Sequence, residues 1–345
     1  MKGMNSKYSK LATKIKAEAK RLGFFACGAA RAEKVDKDTA RRVRTWIEKG
    51  GNAEMGYMAN HTDKRLDPGL LVPGTKTILS LAMNYAPAEH IPPEGYQIAA
   101  YAYGRDYHEV MKEKLRELLQ RLNEADALPP LPADGNAEIR TFVDTAPVLE
   151  RYWAWRCGLG WVGKNHQLII PHAGSMFFLG EIFLPFELDA YDEPMRNHCG
   201  NCQRCIDACP TAALGEDKEF DSAKCLSYQL IENRGELSDE AKRTMGNCIY
   251  GCDRCQQACP WNRFAIPSDN PDFMPRRELL SMTKEEWNNL TIEEYRRLFK
   301  GSAVKRAKYE GLKRNIKAAG TPPTGDKNQV AREKSFPSMG RKKVR

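Results

Sequence analysis

The sequence predicts a mixed α/β (α+β) domain in about its first 190 residues. Behind it come a small module organised by cysteine, a short helical extension and a basic tail. Three observations predict this. Helical and strand periodicities alternate through residues 1–190. Nine of the eleven cysteines then fall between Cys199 and Cys259. Helical spacing returns over 270–317, whereas the closing stretch "AAGTPPTGDKNQVAREKSFPSMGRKKVR" has no apolar period and is rich in Pro, Gly, Ser and Lys. The expected boundaries are 1–190, 191–268, 269–317 and 318–345, the last disordered.

Taken in order, Tyr8, Leu11, Ala12, Ile15, Ala19 and Leu22 recur every three or four positions, which predicts a helix over 7–22 ended by Gly23. "FFACGAA" reads as a short buried strand. A helix is expected over 36–49, stopped by Gly50 and Gly51. A turn at Pro73 and Gly74 leads into a strand near 77–84. "AAYAYGRDYHEVMKEKLRELLQRLNEA" passes from a strand into a long helix, with Asp106 as N-cap and Glu109 three residues on. "LPPLPADGNA" is a loop. Residues 138–161 run strand, loop, helix, with Pro147 near the first helical turn. "HQLIIP" and "SMFFLGEIFL" alternate like paired strands. Beyond the cysteines, "TKEEWNNL" and "TIEEYRRLF" each open on a Thr cap followed by acids.

A chain of 345 residues, 41% hydrophobic and 29% charged, suffices for two or three domains with real cores. No stretch approaches the run of about 20 apolar residues that a membrane span needs. The N-terminus is charged and amphipathic, with no apolar h-region and no leading twin arginine, so a cytoplasmic chain without membrane contact is expected. Eleven cysteines in such a chain point to metal or redox chemistry rather than disulfides. The net charge of +9 is not spread evenly. Residues 301–345 hold thirteen Lys/Arg against three Asp/Glu, a local +10, which leaves −1 for the rest. The tail therefore reads either as a solubility device or as an arm that adds salt-sensitive affinity for a polyanion.

The cysteines carry the strongest signal. "CGNCQRCIDACP" places Cys199, Cys202, Cys205 and Cys209 before a proline; "CIYGCDRCQQACP" places Cys248, Cys252, Cys255 and Cys259 before another. The run C-x2-C-x2-C-x3-C-P gives three thiolates to one four-iron cluster and its fourth to the other. Cys199, Cys202 and Cys205 would thus hold one cluster with Cys259, and Cys252, Cys255 and Cys209 the second. That second cluster lacks a ligand. A regular repeat would place it at Ile249; Cys248 is one residue out of register, and Cys225 is the other candidate. Spacing does not decide between them. C-x2-C pairs also bind zinc, but two interlocked runs each ending in Cys-Pro argue against it. Cys27 and Cys157 stand alone and read as buried small residues.

Here the chain resembles a known family, the epoxyqueuosine reductases. The stretches that carry the resemblance are "YGRDYHEVMKEKL", "VDTAPVLERYWAWRCGLGWVGKNHQLI", the first cysteine run, "CLSYQLIENRGEL" and "GNCIYGCDRCQQACPWNRF", which together span about residues 7–300. The resemblance implies a cobalamin-binding domain fused to a ferredoxin-like module with two [4Fe-4S] clusters. It implies reduction of epoxyqueuosine to queuosine at the wobble position of tRNA, with electrons from a flavodoxin or ferredoxin. It completes the second cluster with Cys225 and leaves Cys248 spare. It makes Asp144, in "DTAPVLER", the proton donor and a cofactor contact. Asn165, Leu168, Ser227 and Arg234 become further cobalamin contacts, with no histidine on cobalt. His108, His166, His172 and His198 read as structural. Many members end in a helical-repeat domain that helps hold tRNA; this chain has the short extension and basic tail instead. A monomer is expected.

Two rivals remain at this stage. One is a reductive dehalogenase with the same cofactors, usually exported through a twin-arginine signal. The other is an electron-transfer protein with no substrate of its own. A carboxyl that gives a proton near neutral pH needs a raised pKa, and Phe142, Trp153, Trp155 and Trp161 are expected to supply an apolar wall for Asp144. The bland alternative for an aspartate ahead of a helix is an N-cap.

Overall fold

The structure is a computed structural model and describes residues 10–131, 137–215 and 219–320. The basic tail beyond Gly320 and the first residues of the expected 7–22 helix lie outside them. The molecule is built on β2 (Thr77–Asn84), the "TILSLAMN" stretch, which is buried along almost its whole length. It pairs antiparallel with β1 (Ala26–Arg31) on one side and β7 (Phe177–Leu184) on the other, and β4 (Arg140–Phe142) closes the order β1-β2-β7-β4. Every pairing in this sheet is antiparallel, so the α+β form of the expected class is the one adopted.

Period-two alternation sorts the strands onto two faces. Leu79, Leu81, Met83 and Ile182 face a core built with Leu11, Ile15, Leu115 and Leu118 from the helices Leu11–Arg21 and Tyr107–Glu124. Ile78, Ala82 and Phe183 face the other core, with Trp153 and Ala154 of the helix Glu150–Arg156. Asp36 caps the helix Lys37–Glu48 by accepting the Thr39 N–H at 2.9 Å.

Two local expectations change. The strand expected before the long helix is a 3-10 turn, Ala100–Ala102. "HQLIIP" does not pair with "SMFFLGEIFL". Both edges of β7 are taken by β2 and β4, so β6 (Leu168–Ile169) folds back on β5 (Trp161–Val162) as a hairpin.

A third core joins distant segments. β3 (Gln97–Ile98) pairs in parallel with β8 (Cys248–Tyr250). Tyr96, Ile98, Ile249 and Tyr250 pack there with Trp287, Phe299 and Leu312 from the C-terminal helices. Thr283 and Thr291 open two of those helices with full capping boxes to Glu286 and Glu294, as their spacing predicts.

Candidate active site and thiol cradles

The first cysteine run folds into a tight loop and one helical turn, Arg204–Asp207. Cys199, Cys202 and Cys205 meet Cys259 around a cavity of about 90 Å3. Among the described residues, no three His, Cys, Asp or Glu side chains gather as a single-ion site. Burial, then the neighbouring thiols, push Cys205 and Cys259 up; each feels Cys199 and Cys202, and Cys205 feels Cys259. Thiols in this state become ligands by losing their protons to solvent as the metal binds. Trp161 packs against Cys259 and Cys199, and its buried Nε1–H has no partner among the described residues. The donor set and the cavity therefore fit an iron–sulfur cluster.

The second set forms around Cys255, which is pushed up to about 12 by burial and then by Cys225, Asp253, Cys209 and Cys205. Cys225 is the N-cap residue of the helix Leu226–Ile231; burial pushes its thiol up, and the backbone N–H groups of Tyr228 and Ser227 pull it back. Cys248 lies on β8 and packs, with Cys252, against Leu226, Leu230, Leu237, Ala241 and Met245; its nearest thiol effect is on Cys252. Cys157 is buried, and burial pushes Cys27 up to about 12.

Asp144 sits where β4 ends and the chain bends before the helix Glu150–Arg156. Its φ of 55° is in the left-handed region that non-glycine residues seldom occupy. The N-cap of that helix is Leu149, so Asp144 is no cap. Its N–H donates to the Glu150 carboxylate. Its Oδ2 accepts from Tyr107 Oη at 2.7 Å and meets His108 Nε2 at 3.1 Å. The other imidazole nitrogen, Nδ1, meets Asp106 Oδ1 at 2.7 Å. Asp106 is the N-cap of the helix Tyr107–Glu124, so the cap that starts the helix also orients the histidine on its first turn. Tyr107 lies between Phe178, stacked at 4.4 Å, and the imidazole at 4.1 Å.

This corrects the expected electrostatics. Trp161 packs with Cys259, Phe142 and Trp153 sit in the core, and Trp155 packs half-buried against both, so none of the four walls Asp144. The Asp144 side chain is 56% exposed. Burial raises its pKa, but the hydrogen bonds from His108 and Tyr107 outweigh that and hold it below the usual carboxylate range. The proton resides on His108. Burial lowers the imidazole, yet Asp106 and Asp144 together lift it to about 9. A folded-state pKa above the unfolded value of 6.5 means stability that is complete below pH 6.5 and lost as pH rises through about 9. His108→Gln is therefore expected to flatten the melting-temperature profile across that window relative to wild type, as a pH series of thermal melts would record.

The other expected contacts scatter. Asn165 is buried, borders the first cavity and reaches Cys255 O at 3.4 Å. Ser227 lies two residues beyond Cys225 on the helix Leu226–Ile231, where its backbone N–H lowers that thiol. Leu168 is buried in the core with Tyr152 and Trp153. The Arg234 guanidinium binds the carbonyls of Ile231, Arg306 and Ala307. Tyr57, 48% exposed, is pushed up by burial and then by Glu232 and Asp144. Sequence reasoning missed Tyr107, His108 and Glu150. The available signal was Asp106 itself, since an N-cap fixes where the next two side chains stand.

Among the described residues no helix is long and apolar enough to cross a membrane. A family model described as a 4Fe-4S double cluster binding domain matches residues 198–262. Another, described as epoxyqueuosine reductase QueG, DUF1730, matches residues 65–145. An epoxyqueuosine reductase of Cellulophaga algicola is 45% identical over 91% of this chain and 99% of its own. That of Leadbetterella byssophila is 46% identical over 90% and 97%. A solved epoxyqueuosine reductase with a tRNA-Tyr epoxyqueuosine-modified stem loop aligns at a TM-score of 0.78 and 28% identity, covering 90% of this chain and 80% of that one. The Bacillus subtilis enzyme, solved with its catalytic aspartate loop swung out of the active site, gives 0.76 at 27% identity over 90% and 81%. Such identity across nearly the whole of both chains, on a shared fold, means that this chain belongs to the epoxyqueuosine reductase family.

Proposed function

We propose that the chain reduces the epoxyqueuosine base of tRNA to queuosine, with Asp144 as the acid at the reacting carbon–oxygen bond. The reaction takes two electrons and two protons, releases one water and leaves an alkene where the epoxide stood. The observation that carries the reading is the hydrogen-bonded line Asp106–His108–Asp144, which ends on a half-exposed carboxylate.

Cys199, Cys202, Cys205 and Cys259 would hold one cluster, and Cys209, Cys225, Cys252 and Cys255 the other. Asn165, at the first cavity, and Ser227, beside Cys225, would contact cobalamin in a cleft next to Asp144. Leu168 and Arg234 would act there through backbone rather than side chain. Once bound, the clusters and cobalamin supply the electrons, gathered at a low-potential cobalt. The chain delivers the first of the two protons, and solvent supplies the second. His108 passes its Nε2 proton along the hydrogen bond to Asp144, and Asp144 gives it to the departing oxygen. Tyr107 keeps the carboxylate aimed throughout. The base must leave its stack to reach this carboxylate, as single-stranded RNA bases do when read.

Division of labour follows the expected boundaries: acid chemistry before about residue 190, electron transfer over 191–268, support from 269–317. An external flavodoxin or ferredoxin, a cytoplasmic setting, a monomer and a tRNA-holding tail complete the proposal. The test is an anaerobic assay of reconstituted protein with epoxyqueuosine tRNA, reductant and cobalamin, read by nucleoside mass spectrometry. Cobalamin-dependent loss of one oxygen is expected. No loss with all cofactors bound would refute the reading.

A further inference from the structure

A carboxyl lies under the Asp144 turn that the reaction above does not use. Glu181 is fully buried on β7, facing Ser80 across the sheet on one side and Phe142 on the other. It shares a face with Phe183, so it points toward the helix Glu150–Arg156. Its Oε1 accepts from Ser80 Oγ at 3.1 Å, and its Oε2 has no partner among the described residues. A carboxyl in this position destabilises the fold, since an apolar residue there would need no partner. Above it, Glu150 opens the helix and accepts the Asp144 N–H, the bond that holds Asp144 at its positive φ.

We propose that Glu150 is the positioning residue of the Asp144 turn, and that Glu181 is the buried partner with which it shares one proton. The proposal rests on the acid role of Asp144. Shared in this way, a single negative charge strengthens the Asp144 N–H bond without setting two further anions beneath a carboxylate. The charged and titratable groups facing the pair are Asp144, Tyr107 and His108 at the cleft, Arg151 on the helix, and the Cys157 thiol below. Burial is the main influence on both carboxyls and pushes both up, Asp144 adds to it in each, and Glu150 raises Glu181 further.

The test uses the reconstituted holoenzyme and four variants. Glu150→Ala removes the acceptor and is expected to lower kcat by about a hundredfold with KM for tRNA unchanged. Glu150→Gln keeps an oxygen in the same place and should recover most of that loss. Glu181→Gln keeps the Ser80 bond but needs no proton. A carboxyl that must stay protonated in the fold costs more stability as pH rises above its unfolded value. This variant should therefore melt higher than wild type at pH 8, with the difference vanishing toward pH 5. Wild-type kcat in Glu150→Ala, no recovery in Glu150→Gln, or a pH-independent melting difference in Glu181→Gln would each overturn the proposal. Asp144→Ala, run alongside, separates the two readings. Full turnover there removes the acid role itself, whereas full turnover confined to Glu150→Ala removes only the positioning.

Discussion

Asp144→Ala is expected to abolish epoxide reduction while leaving both clusters and the corrinoid in place. The side chain is half exposed and contributes to no core, so its loss costs the fold little. What it removes is the only carboxylate on which Tyr107 and His108 converge among the described residues. A positioned general acid contributes about 10²–10⁴ in rate. Without it, the imidazolium keeps Asp106 but has no conduit to the cleft. Its pKa should also fall, because one of the two carboxylates that raise it is gone. Single-turnover rates by nucleoside mass spectrometry, beside iron content and corrinoid absorbance, would measure both halves. Wild-type turnover would take Asp144 out of the mechanism.

Cys225→Ala is expected to cost the protein about half its iron, and Cys248→Ala almost none, since each four-thiolate set holds one cluster. Cys225 stands at a helix start, where the Tyr228 and Ser227 N–H groups favour its thiolate, and is the first thiol that Cys255 feels. Cys248 packs against an apolar cluster beside Cys252. Iron analysis and low-temperature spin resonance of the reduced variants would decide it. Iron loss in the Cys248 variant alone would reverse the assignment.

Local chemistry made much of this legible in sequence. Caps such as Asp106, Thr283 and Thr291 act within three residues, and the cysteine runs carry their own spacing. Partners brought together by the sheet were not legible. His108 lies 36 residues from Asp144, and Ser80 lies 101 from Glu181. The mispaired "HQLIIP" has the same origin, since nothing within it tells that β7 is already flanked. The direction of the Asp144 shift was misjudged for a related reason. Neighbouring aromatics in sequence suggested burial, but donors from another helix decide the balance.

The parallel pairing of Gln97 with Cys248 also bears on how the protein is made. About 150 residues separate the partners. At roughly 5–20 residues per second, synthesis of that interval takes about 8–30 s. Cys199, Cys202 and Cys205 leave the ribosome before Cys259, with which they share a cavity. The strand is unpaired for that interval, and from Cys199 to Cys259, about 60 residues or roughly 3–12 s of synthesis, the nascent chain carries an incomplete, oxidisable thiol set. Cluster loading is thereby tied to completion of the polypeptide, and a truncated product would present thiols with nothing to close over them.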